Sequence, residues 1–308
     1  MIRPDYLSKG DRIAVISPSY RMEGESLSRA FDIIRDRGFE PVASPNLNAG
    51  DGTYAGDAQM RAADLVWALK DADAKAIICS RGGYGALHLT DRVPAELFTA
   101  APKWLVGYSD ITTLHAMSVA SGVMSVHGPM LSSFAKEEQG SSVDALFSLL
   151  SGGRMSYGFS SPVPNVPGMA SGRLVGGNFI TLAALFGSGC DFLSGDVNLI
   201  LFIEEVEESM HAIDRLFNIL LRHRNFSHVK GLVFGQFTDC GADLGFESVE
   251  AMLSQYVSVA GIPVCFGFPA GHGPVNMPFI EGAAVQLSVA STQSTLCLSE
   301  NTGVSLRA

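Results

Sequence analysis

Three residue types set far apart in this 308-residue chain could together do nucleophilic chemistry: a serine, an acid and a histidine. Ser109 sits in KWLVGYSDITTLH, Lys103–His115. Trp104, Leu105 and Val106 read there as the end of a buried strand, and Ile111 and Leu114 begin a helical pattern. A strand that feeds a helix through a tight turn can expose a serine at the tip as a nucleophile. Its hydroxyl needs a base to take the proton, and the base needs an acid to orient it. Histidine is the usual base near neutrality, because its unperturbed pKa is about 6.5.

The chain has seven histidines. His88 and His115 fall in helical segments, and His211, His223 and His228 lie near the ends of a charged helix, positions that suit surface or capping roles. His127 and His272 stand in glycine/proline loops, HGP and GHGP. His272 is the better base. Gly271 and Gly273 leave room around its ring, and the apolar run Pro263–Phe268 anchors its loop. His127 suits a bracing hydrogen bond within its own loop. For the acid, Glu204 and Glu205 follow directly on the apolar run Leu199–Ile203, at the mouth of a buried strand. Glu207 and Glu208 fit the start of the next helix, where negative charge is favourable. The set Glu204, Glu205, Glu208 and His211 lacks a metal-ligand spacing, so no metal is expected.

Arg81-Gly82-Gly83-Tyr84-Gly85 lacks both the GxGxxG spacing and the Lys-Ser/Thr of phosphate loops, so no nucleotide cofactor is expected. It does offer unblocked backbone N–H groups. An attacking serine needs two such donors aimed at the developing oxyanion. Asp110, next to the serine, would give one, and Gly83 or Gly82 the other. The order Ser109, Glu204, His272 matches the nucleophile–acid–base order of α/β-hydrolases, although the elbow Gly107-Tyr108-Ser109-Asp110-Ile111 lacks their second glycine. These features describe a distinct serine hydrolase with its site at a domain boundary. An exopeptidase must also hold a free carboxylate. Arg81 is a candidate, with a structural role for the same arginine as the alternative.

Positioning such groups takes alternating strands and helices. Strand patterns at Arg12–Ser17, Glu40–Ala43, Lys75–Cys79, Trp104–Val106 and Val123–Val126 are interleaved with helical periodicity over Ser26–Phe39, Asp57–Leu69 and the segment up to about Ala120. That order predicts βαβ units and a parallel sheet covered on both faces, with ligands beyond the carboxyl ends of the strands. The loops Pro18–Tyr20, Arg81–Gly85 and Tyr108–Asp110 all lie at such ends. Residues 1–152 are therefore read as an α/β domain carrying the serine. The Gly-, Pro- and Ser-rich residues 153–172 read as a linker, and residues 173–308 as a smaller, β-rich C-terminal domain carrying the acid and base.

Apolar residues make up 47% and charged residues 17%, enough for a large core. The net charge of −10 and the absence of a Lys/Arg cluster argue against nucleic acid as a partner. No apolar run approaches the roughly 18 residues of a membrane span, and MIRPDYLSKGDR carries charge where a signal peptide needs an apolar stretch. A cytoplasmic protein is expected, with no membrane partner. Its five cysteines have no CxxC pair, which agrees with a reducing compartment.

The motifs GYSDITTLH, RGGYG, the Gly176-Gly177-Asn178 opening, LFIEEVEE followed by Ile213-Asp214-Arg215, and GHGPVNMP closely resemble the L,D-carboxypeptidase family of serine peptidases. The family includes the murein tetrapeptide carboxypeptidases and the microcin C immunity peptidases. The matches run in order from Ser17-Pro18-Ser19 to the Asn276 region. The resemblance implies a triad of Ser109, Glu204 and His272, and an oxyanion hole from Asp110 and the RGGYG loop, here Gly83. It implies an N-terminal α/β domain with a smaller β-rich C-terminal domain, usually dimeric, so a homodimer is expected. Family members often read Glu-Asp where this chain has Glu204-Glu205, and Glu204 is taken as the orienting acid. Removal of C-terminal D-alanine from murein tetrapeptides in peptidoglycan recycling is the activity it implies first, with a small peptide as substrate. A microcin C-type peptidase is the alternative within the family. Outside it stand another serine amidase or esterase, and a nonhydrolytic small-molecule binding protein on the same scaffold.

Overall fold

Short apolar runs rich in β-branched residues become the strands of two sheets in the computed structural model, which describes residues 1–22, 24–241 and 244–299. In chain order the strands are β1 Arg12–Ile16, β2 Glu40–Ala43, β3 Ala74–Cys79, β4 Trp104–Gly107, β5 Ser125–His127, β6 Ser156–Ser160, β7 Gly168–Asn178, β8 Leu199–Val206, β9 Val229–Thr238, β10 Val264–Cys265, β11 Phe279–Glu281, β12 Ala284–Val289 and β13 Gln293–Leu298. The α-helices are α1 Gly24–Asp36, α2 Ala58–Lys70, α3 Glu96–Ala100, α4 Thr112–Ala120, α5 Leu131–Phe134, α6 Gly140–Leu150, α7 Phe179–Ala184, α8 Met210–Leu221 and α9 Val249–Ser254. None of these helices is long and apolar enough to cross a membrane.

The first sheet has the order β11-β5-β4-β3-β1-β2, parallel except for β11. Alternation along its strands divides the core. Ile13 and Val15 pack with α1 and α6, while Ala14 and Ile16 pack with α2 and α4. The second sheet has the order β10-β9-β8-β7-β12-β13-β6, parallel from β10 to β7 and antiparallel beyond. Leu199, Leu201 and Ile203 of β8 face α7, α8 and α9. Ile200 and Phe202 face the other way, into a core shared with the first sheet. The expected α/β class is present, with a largely parallel first sheet and a second sheet region.

Two details differ from the expectations. Residues 153–172 are more than a linker: they hold β6 and the start of β7. Strand β6 is an edge strand on β13, with only Phe159 buried, so its sequence lacks the apolar density of a central strand. Strand β11 comes from the C-terminal half, yet it pairs with β5 and completes the first sheet. The chain therefore crosses between the halves more than once.

Gly176-Gly177-Asn178 is one place where the halves meet closely. A Cβ on Gly177 would lie 2.3 Å from Thr112 Oγ1 at the start of α4, and its φ is +135°. The Asn178 N–H donates to the same Thr112 Oγ1 at 3.0 Å, and the Gly176 N–H donates to the buried Glu281 of β11 at 3.1 Å. Burial drives the Glu281 carboxyl well above its ordinary range. Only glycine fits at 177, so Gly177→Ala should destabilise the protein by at least about 2 kcal/mol through overpacking and backbone strain. A urea titration checks this; an unchanged midpoint would mean that the junction yields freely.

Candidate active site

Ser109 lies where β4 turns into α4, and its backbone is left-handed, with φ +64°. That region is uncommon for a residue with a side chain and persists only where the surroundings enforce it. The enforcement is visible. A Cβ on Gly107 would fall 2.7 Å from Ile111, so strand and helix close too tightly for any other residue. His115, fully buried in α4, hydrogen-bonds through Nε2 to the Gly107 carbonyl at 2.9 Å and through Nδ1 to Ser125 Oγ at 2.8 Å. Burial lowers its pKa to about 4, so it stays neutral and braces the turn.

The glycine loop packs directly on this elbow. A Cβ on Gly82 would lie 2.9 Å from Ser109 Cβ, 3.0 Å from its Oγ and 3.5 Å from the Asp110 nitrogen. Gly83 has φ +116° and lies against the Tyr20 ring. Among the described residues neither the Asp110 nor the Gly83 N–H has a hydrogen-bond acceptor. One belongs to the residue after the serine, and the other to the residue after Gly82, the glycine that packs on Ser109.

The Asp110 carboxylate, read from sequence only for its backbone, holds this arrangement. Its Oδ2 accepts from Ser19 Oγ at 2.6 Å and from the Ala86 N–H at 2.8 Å, joining the elbow to the loops after β1 and β3. Burial raises its pKa, and the hydrogen bonds from Ser19 and Ala86 and the charge of Arg61 oppose that. Arg61 of α2 escaped the sequence reading altogether. Although it is only 2% exposed, it donates through one nitrogen to the carbonyls of Pro18 and Gly85, both at 2.7 Å. An arginine within an otherwise ordinary amphipathic helix gives no local sign of such a role.

Glu204 and His272 come from the second half. Glu204, near the end of β8, lies on the same face as Ile200 and Phe202, so strand alternation sends it into the shared interior, while Glu205 faces α7. Glu204 Oε2 lies 2.7 Å from His272 Nδ1. Glu205 instead accepts from Asn178 Nδ2, from the Ile180 N–H at 2.8 Å and from the Val206 N–H at 2.9 Å, and burial raises its pKa to about 7. Of the two neighbouring acids, only Glu204 contacts the histidine.

Burial pushes the His272 imidazole down, but the charge and hydrogen bond of Glu204 outweigh it, and the net pKa lies above the ordinary 6.5. The His272 ring stands 5.0 Å from the Tyr108 ring, which places it beside the elbow. The structure brings Ser109, Asp110, Gly82 and Gly83 together, and pairs Glu204 with His272. It does not draw a hydrogen bond between Ser109 and His272. Such contacts tighten in many enzymes only when substrate binds.

Arg81 is exposed, and its guanidinium lies 5.8 Å above the Tyr20 ring. Together with Tyr20, Arg21 and Asn48 it lines a groove of about 710 Å³ next to Gly82. His127 is fully buried behind Tyr108 and stacks on Phe279 at 4.6 Å, with no hydrogen bond to Ser109, Glu204 or His272.

The model of the LD-carboxypeptidase N-terminal domain matches residues 13–128, and that of the LD-carboxypeptidase C-terminal domain matches residues 171–287. A Synechocystis protein named for a carboxypeptidase is 36% identical over 293 residues, covering 93% of this chain and 94% of that one. A murein tetrapeptide carboxypeptidase of Pseudomonas aeruginosa is 28% identical, covering 90% and 92%. The crystal structure of an MccF-like protein from Bacillus anthracis is 26% identical with a TM-score of 0.85, covering 97% of this chain and 100% of that one. The chain belongs to the LD-carboxypeptidase family.

A histidine whose folded pKa is raised gives stability that is complete below its unfolded pKa and fades as pH rises through the folded value. Glu204→Gln should therefore move the His272 imidazole below 6.5, because burial is then largely unopposed. The stability difference between wild type and variant should shrink as pH climbs past the wild-type value. NMR titration of the imidazole checks this; an unmoved His272 pKa would mean that Glu204 is not its electrostatic partner.

Proposed function

We propose that this member of the LD-carboxypeptidase family is a serine peptidase that removes the C-terminal D-alanine from murein tetrapeptides. The observation that carries the reading is the pair of buried Glu204 and half-buried His272 near a serine held in left-handed backbone. A carboxylate–imidazole pair next to an enforced serine, with two free N–H donors, is the equipment of acyl transfer through a covalent intermediate.

In the proposed mechanism Ser109 Oγ attacks the carbonyl that precedes the terminal D-residue. His272 Nε2 takes the hydroxyl proton, and Glu204 stabilises the imidazolium through Nδ1. The oxyanion that forms rests on the N–H groups of Asp110 and Gly83. Collapse breaks the C–N bond, and His272 passes its proton to the departing amine. Water, deprotonated by His272, then attacks the acyl ester, and Ser109 recovers its proton. Glu204 is one methylene longer than the aspartate of many triads, and its placement near the end of β8, two residues before the last of the strand, suits that extra reach.

Arg81, beside Gly82, is proposed to meet the free carboxylate of the terminal residue. The groove it lines is open, and Arg81 and Arg21 have no ion-pair partner among the described residues. The reading includes a homodimer at work in the cytoplasm, without cofactor or metal. The murein tetrapeptide substrate is supported by the name of the Pseudomonas relative. A microcin C-type immunity peptidase on the same machinery is the second reading, supported by the name of a microcin C7 self-immunity protein of Escherichia coli that is 25% identical.

The test is release of D-alanine from a murein tetrapeptide. Ser109→Ala should lower it by at least about 10⁴-fold, as loss of a nucleophile does in other serine hydrolases. An L,L-linked analogue should be a far poorer substrate for the wild type. Wild-type turnover in the Ser109→Ala protein would sink the triad, and equal rates on both linkages would sink the L,D assignment.

A further inference from the structure

The loop that carries His272 has little regular structure of its own, yet it must hold an imidazole against Glu204. Gly271 has φ +134°, and a Cβ there would lie 3.1 Å from Gln236 Cβ and 3.2 Å from Glu204 Oε2. A Cβ on Gly273 would fall 2.6 Å from Gln236 Oε1. Both glycines flanking the histidine thus lie against one side chain, Gln236 of β9.

Gln236 is aimed there by an irregularity in the sheet. Ile203 pairs with Phe234 and Glu205 with Phe237, so β9 holds one residue more than β8 across this step. Such a bulge re-aims a side chain. The extra length falls at Gly235–Gln236, opposite Glu204. The Gln236 amide uses both of its ends. Its Oε1 accepts from the Gly273 N–H at 2.7 Å, and its Nε2 donates to the Val275 carbonyl at 3.0 Å. Its backbone N–H donates to Ala270 at 3.0 Å. Gln139, from the N-terminal half, holds the same loop from across the boundary, with Nε2 donating to the Gly273 carbonyl at 2.9 Å.

We propose that Gln236, assisted by Gln139, is a positioning residue that fixes the loop and aims the His272 ring between Glu204 and Ser109. The proposal rests on the reading of His272 as the base. Neither amide carries a proton in the reaction. Each acts through the loop backbone: Gln236 donates and accepts at once, and Gln139 adds a donor to the Gly273 carbonyl. A glutamate at 236 keeps the acceptor for Gly273 but loses the donor to Val275. It also adds a negative charge near His272. The other titratable groups facing His272 are Glu204, Glu205 and Glu207 around the end of β8, Tyr108 at the elbow and His127 of β5.

The experiment compares Gln236→Ala, Gln236→Glu and Gln139→Ala with wild type in D-alanine release across pH, with NMR titration of His272. Gln236→Ala should lower kcat by about 10- to 100-fold with KM within about twofold of wild type, the size of effect that a misplaced catalytic group gives. Gln139→Ala should show a weaker loss of the same kind. Gln236→Glu should raise the pKa of the acid limb of kcat/KM, and that of the His272 imidazole, by at least about half a unit. Normalising rates to the folded fraction removes the effect of a merely destabilised protein. Variants with kcat and pH profile within about twofold and a few tenths of a unit of wild type would overturn the proposal. If wild type releases no D-alanine, the peptidase reading fails, while the His272 titration still tests whether position 236 sets its environment.

Discussion

The contact between Glu204 and His272 makes demands on much of the rest of the molecule. A carboxylate with no exposure is costly unless a partner stabilises its charge, and an imidazole next to it is held by the same attraction. The pair is useful only if it stays in place, and its two members come from different strands and loops of the second sheet. Glu204 is fixed by the alternation of β8 against an interior shared between the sheets. His272 is fixed by a loop with glycine on both sides, because the Glu204 and Gln236 side chains leave no space for a Cβ.

The first sheet contributes the other half of the site by a different principle. Its three loops lie at the carboxyl ends of β1, β3 and β4. They are tied by buried polar groups: the Asp110 carboxylate to Ser19 and Ala86, and the Arg61 guanidinium to Pro18 and Gly85. Buried groups of this kind are costly if half-satisfied and confer rigidity when satisfied. The elbow then meets the second sheet at Thr112, against Gly177 and Asn178. In the proposed mechanism the serine and its base sit on opposite sides of that contact, so the junction sets their separation.

Much of this was legible in the sequence. The βαβ rhythm marked the first sheet, and the strand-to-helix turn marked Ser109. Glu204 and His272 stood out as an acid at a strand mouth and a histidine between glycines. The choice of Glu204 over Glu205 was also legible in principle, since Ile200 and Phe202 share its face. Other features were not legible. Strand β6 is an edge strand with a single buried residue, so residues 153–172 looked like a linker. Strand β11 crosses back to the first sheet through pairing that no local pattern encodes. Arg61, Gln139 and Gln236 are ordinary polar residues in sequence, and only long-range contacts give them their places.

The central claim is that Ser109 is a nucleophile driven by His272 and Glu204, and covalent capture tests it most directly. The protein would be treated with a serine-directed phosphonate, and the adduct counted by intact mass and located by peptide mapping. The account predicts one adduct per chain, on Ser109, with labelling abolished in His272→Ala and strongly slowed in Glu204→Gln. Labelling at another residue, or unchanged labelling of Ser109 without His272, would contradict it.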